Sequence, residues 1–117
     1  MESEVRELLV EDLKDAYSAE KQALRCMQKT LKMVSAPALR AGIQMHIEQT
    51  QLQIERVEEA MEKLDIRPGR KVCEAMRGLV EEATHEIRAA LQRILEQLAA
   101  LEAAVDLKRS QTAAGQI

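Results

Sequence analysis

From Val72 to Val105 an apolar residue returns every third or fourth position: Val72, Met76, Leu79, Ala83, Ile87, Leu91, Ile94, Leu98, Leu101 and Val105. A period of about 3.6 residues sets all ten on one face of an α-helix, whereas a strand would need strict alternation. No proline interrupts the run. A helix from near Lys71 to about Leu107 would be about 55 Å long at about 1.5 Å per residue. A chain holding such an element must be built from long helices.

The preceding sequence divides into two more. The first reads as a helix over about 3–34, with the seam Val5, Leu9, Leu13, Ala16, Glu20, Ala23, Met27, Leu31 and Val34. Glu2, Glu4 and Glu7 place negative charge where the helix dipole favours it. Ser35-Ala36-Pro37 breaks the pattern, with Pro37 suited to a first helical turn. A second helix follows over about 37–64, closed by the loop Ile66-Arg67-Pro68-Gly69-Arg70. Short connections make sequential helices antiparallel neighbours. The expected fold is therefore all-α: an antiparallel bundle of three long helices in one domain over residues 1–110, with residues 111–117 as a frayed tail. The apolar seam of the third helix is too long for two neighbours to cover, so a homodimer through that helix is expected to complete the bundle.

Composition narrows the partners. Phe and Trp are absent and Tyr17 is the single Tyr, so the 46 % apolar content is aliphatic and suits close helix packing. A formal charge of -3 gives no pull toward nucleic acid. No apolar run reaches the roughly 18 residues that span a bilayer, and the N-terminus lacks a signal peptide's apolar core. A cytoplasmic location with neither nucleic-acid nor membrane partner is expected. Cys26 and Cys73 lack metal-binding or redox spacing and read as two free thiols. The charges of Arg67 to Lys71 read as a solvated loop, since no aromatic interleaves them.

Polar residues interrupt the seams at one height. On the second helix the spacing Leu39, Ile43, His46, Thr50, Gln53, Val57, Ala60, Leu64 is apolar at both ends and polar in the middle. Burying polar groups without partners costs about 1–3 kcal/mol each, so this middle is either a hydrogen-bonded layer or a ligand site. Glu20 falls at the same level of the first helix, and Glu82-Ala83-Thr84-His85 at the same level of the third. A Glu-x-x-His spacing presents carboxylate and imidazole together, the donors with which bundle cores hold iron or manganese. The candidate metal ligands are Glu20, His46, Glu82 and His85, with Gln49 and Gln53 lining the site. The plainer reading makes His46 a hydrogen-bonded core histidine and the face of Glu82 and His85 a solvated surface.

Three segments in order resemble a known family, the bacterial ferritin-like stress proteins typified by YciE and YciF. They are Glu11-Asp12-Leu13-Lys14-Asp15-Ala16-Tyr17-Ser18-Ala19-Glu20-Lys21-Gln22, then His46-Ile47-Glu48-Gln49-Thr50 with Gln53-Ile54-Glu55-Arg56-Val57, then Cys73-Glu74-Ala75-Met76-Arg77-Gly78-Leu79-Val80-Glu81-Glu82-Ala83. The resemblance covers about residues 3–87. It implies a cytoplasmic, dimeric, ferritin-like bundle with a di-metal site and a link to stress responses, in which Glu20 and the His46 to Gln53 segment supply ligands. Two functions follow as expectations. One is an iron- or manganese-binding stress protein whose di-metal site is incomplete in one chain. The other is a non-enzymatic helical interaction or scaffold protein with a degenerate site, because Gln49 and Arg77 stand where that family carries carboxylates.

Overall fold

The computed structural model describes residues 2–115, which form three α-helices and, among the described residues, no strand. These are α1 (Ser3–Leu31), α2 (Pro37–Lys63) and α3 (Glu74–Gly115). The all-α expectation holds. The chain divides into two compact units, Met1–Val80 and Glu81–Ile117.

In the first unit α1 and α2 pack antiparallel. The Arg6 guanidinium at the start of α1 donates to the Leu64 carbonyl at the end of α2, at 2.7 Å. At the other end, one Arg40 nitrogen donates to the carbonyls of Leu31 (2.6 Å) and Val34 (2.7 Å). The chain before Pro37 is extended at Ala36 (ψ 120), as a residue preceding proline prefers. α1 stops at Leu31, short of Val34.

The end of α2 is a left-handed cap. Ile66 N–H donates to the Met61 carbonyl (2.8 Å) and Asp65 N–H to that of Glu62 (3.1 Å). The pair of bonds satisfies carbonyls that a helix end leaves open, and it requires φ > 0 at Asp65, observed at 52. Asp is among the few non-glycine residues that tolerate this region. Gly69, at φ 66, reverses the chain.

The segment after the turn lies along α1 and is not helical. Lys71 Nζ donates to Glu11 at 2.7 Å. Cys73 N–H donates to Ser18 Oγ (2.9 Å), and the Gln22 amide donates to the Cys73 carbonyl (3.1 Å). Cys73 stands just before the helix, where its N–H has no intrahelical acceptor and is satisfied by Ser18, and its carbonyl accepts the first bond from Arg77 N–H. α3 begins at Glu74, three residues after Lys71. Both cysteines are free, Cys73 buried and Cys26 half-buried.

The α2 seam differs from its expected line. The residues that bury are Ile47, Thr50, Ile54 and Met61, with Ile43, Val57 and Leu64 half-buried beside them. His46, Gln53 and Leu39 are exposed. Both lines step by three and four and share Ile43, Thr50, Val57 and Leu64. They differ by one residue, about 100° round the helix, at the intervening positions. Burying an Ile contributes about 1.5–3 kcal/mol, so rotation toward Ile47 and Ile54 wins over rotation toward His46 and Gln53. On α1 the expected face holds from Leu13 to Leu31, half-buried throughout, while Val5 and Leu9 are exposed.

The second unit is a single helix, α3 from Glu81 onward. Every described residue from Leu91 is exposed, including Leu91 (47 %), Ile94 (51 %), Leu98 (51 %), Leu101 (60 %) and Val105 (41 %). α3 runs into the expected tail as far as Gly115, and residues 116 and 117 lie outside the described residues. Among the described residues no helix is long and apolar enough to cross a membrane.

Candidate metal centre and its surroundings

Glu20 is half-buried, as is every residue of α1 from Leu13 to Leu24, with Ala16 and Ala23 one turn either side. Small neighbours leave room for its carboxylate. His46, Gln49 and Gln53 are exposed on α2. His46 and Gln53 each flank a buried isoleucine, and Gln49 lies further round, beside Thr50. Glu82 and His85 are exposed on α3, three residues apart and so on one helix face. The polar middle expected along the α2 seam reduces to Thr50, which is 1 % exposed.

The donor types suit iron or manganese, for which carboxylate oxygen and imidazole nitrogen are fitting ligands. Among the described residues no three His, Cys, Asp or Glu side chains are grouped so as to hold a metal ion. Glu20 and His46 belong to the first unit, Glu82 and His85 to the second.

A different constellation does come together, and sequence periodicity gave no sign of it. The loop thought to lack an aromatic has one supplied from α1: Tyr17, Lys21 and Arg25 border a shallow cleft whose other wall is Pro68, Arg70 and Lys71. The Lys21 ammonium stands 5.7 Å from the centre of the Tyr17 ring, within reach of a cation–π attraction. Glu11 offsets the charge on this side. Its hydrogen bond to Lys71, and then the Lys71 charge, hold its carboxyl below the ordinary 4.5. The same hydrogen bond raises Lys71 above its ordinary 10.5, and the charges of Glu11, Asp15 and Asp12 add to it. The cleft is a mixed-charge surface that fastens the α2–α3 connection to α1. About fifty residues separate its walls, so local spacing could not have revealed it.

Comparison with known proteins places the chain. A family profile described as "Domain of unknown function (DUF892)" matches residues 4–114. Protein YciF of Escherichia coli (strain K12) is 33 % identical over 101 residues, which cover 86 % of this chain and 61 % of YciF. The match extends past Ile87, where the resemblance read from motifs ended. Residues 88–114 are rich in Ala and Leu, and such a helix offers little that distinguishes one family from another. With nearly its whole length matched, the chain belongs to the family described as Domain of unknown function (DUF892).

Proposed function

We propose that this chain is a ferritin-like metal-binding protein of a stress response, taking iron or manganese, and that it works in the cytoplasm as a homodimer joined through α3. The observation that carries the metal reading is Glu20. It is a half-buried carboxylate in the apolar seam of α1, with an alanine one turn either side, where packing alone would favour another small or apolar residue. Family membership and the relation to YciF support it. The ligands would be Glu20, His46, Glu82 and His85, with Gln49 and Gln53 alongside. They are not grouped within the described chain, so no catalytic step is derived from them. A site would need further donors or a second chain.

A second reading rests on a different observation, the exposed apolar stripe from Leu91 to Val105. In that reading the protein is a helical scaffold without metal chemistry. Metal content of protein purified without chelators, and melting temperature with and without Fe(II) or Mn(II), separate the two. The metal reading expects bound metal and a raised melting temperature in the wild type, with both lost in Glu20→Ala. A ligand at about 100 times its Kd stabilises by about 2.7 kcal/mol, an effect well within reach of a melting curve. Trace metal only, with no shift on adding either ion, leaves the scaffold reading.

A further inference from the structure

The stripe on α3 is more specific than an apolar surface. In heptad terms Leu91, Leu98 and Val105 occupy one core position and Ile87, Ile94 and Leu101 the other. The residues flanking them are Ala90, Gln97 and Ala104 on one side, and Arg88, Leu95 and Glu102 on the other. From Leu91 onward all of these are exposed, as is Arg88, while Ile87 and Ala90 are half-buried.

We propose that this face binds a second copy of itself as an antiparallel coiled coil, with its two-fold axis between Leu95 and Gln97. The proposal rests on the homodimer reading above and adds its orientation and register. In this register Ile87 faces Val105 of the other copy, Leu91 faces Leu101, and Ile94 faces Leu98. Symmetry repeats each contact, so every layer over about 28 Å of helix is apolar. Leu95 meets its own counterpart, and so does Gln97, whose amides can donate and accept reciprocally. Ala90 lies against Ala104, where small side chains let the helices approach.

Charge selects this arrangement. Arg88 of each copy falls beside Glu102 of the other, giving two opposite-charge pairs. A parallel pair would set Arg88 against Ala83 and Glu102 against Gln97, with no complementary charges. An antiparallel pair shifted by one heptad brings either Arg88 against Arg109, with Lys108 in the seam, or Glu81 against Glu102. Like charges held together disfavour both shifts. The apolar layers also end where this register ends, since the next pair would be Thr84 with Lys108.

The test is sedimentation equilibrium on the full-length wild type, Arg88→Glu, Glu102→Arg, an equimolar mixture of these two variants, and Leu98→Glu. Helix content is checked by circular dichroism. Both charge variants alter exposed positions, so folding should be retained. Each alone turns two attractions into two repulsions and should raise the dimer Kd roughly tenfold. Their mixture restores both pairs and should return Kd to the wild-type level. Leu98→Glu should be monomeric at the same concentration. Charge variants that dimerise like the wild type overturn the antiparallel register while leaving the homodimer intact. A dimer that survives Leu98→Glu shows that α3 is not the interface. A wild type that stays monomeric at the highest concentration overturns both.

Discussion

α2 and the distal half of α3 carry the same repeat, apolar residues in steps of three and four, and meet opposite fates. In α2 the repeat Ile47, Ile54, Met61 is covered by α1 to 4 %, 6 % and 2 % exposure. In α3 the equivalent run Leu91, Ile94, Leu98, Leu101, Val105 keeps between 41 % and 60 % of its surface in water. The repeat identifies which face will bury and is silent about what will bury it. Where the chain folds back within a few residues, as at Ser35 to Pro37, the partner is intramolecular. Where the helix runs 42 residues without a break, no described residue buries the run from Leu91 to Val105.

The largest effect should come from cutting into the covered repeat. Met61 is almost fully buried and also sits at the cap of α2, so Met61→Ala should cost about 2–5 kcal/mol. Urea unfolding measures it, and the Kd of the proposed dimer should stay unchanged if the two repeats are energetically separate. A change in Kd as large as that of Leu98→Glu would merge the two regions into one cooperative unit.

A smaller effect is expected where the two regions are joined. Ser18→Ala removes the acceptor of the Cys73 N–H and leaves that donor at a buried residue, which should cost about 1–3 kcal/mol. Hydrogen exchange should show the loss at residues 71–77 first. Exchange confined to the α3 terminus instead would mean the tether does not hold the helix start.

The smallest is the pH response of the exposed pair Glu11–Lys71. The lowered carboxyl contributes stability above its unfolded value near 4.5, lost as pH falls through its still lower folded value. The raised ammonium contributes below its unfolded 10.5, and that contribution disappears as pH rises through the higher folded value. Glu11→Gln should therefore lower the melting temperature slightly between those two limits, where the pair is intact, and converge on the wild type at both extremes. A mutant profile parallel to the wild type at acid pH would show that the pair adds nothing.

Parts of this molecule were legible in the sequence because they depend on neighbours in the chain. Helical periodicity placed three helices, and Pro37 and the Pro68-Gly69 turn placed the breaks within a few residues. The repeat on α3 was readable for the same reason, since a heptad is a local property. The motif segments around Glu20, His46 and Cys73 indicated the family before any comparison.

Rotation and long-range contact were decided only in three dimensions. Two seams on α2 shared half their residues, and only packing against α1 turned Ile47 and Ile54 inward and left His46, Gln49 and Gln53 in water. Equal helical rise predicted that Glu20, Glu82 and His85 share a height. A metal site also needs convergence across helices, which rise alone cannot specify. Likewise Ser18, Gln22 and Lys71 gave no local sign of their contacts, because hydrogen bonds across more than fifty residues depend on where the turn at Gly69 sends the chain. Sequence settles which surfaces must be covered, since that depends on hydrophobicity and helical period. Which surface covers them depends on geometry between distant segments, and only the folded chain, or two of them, decides it.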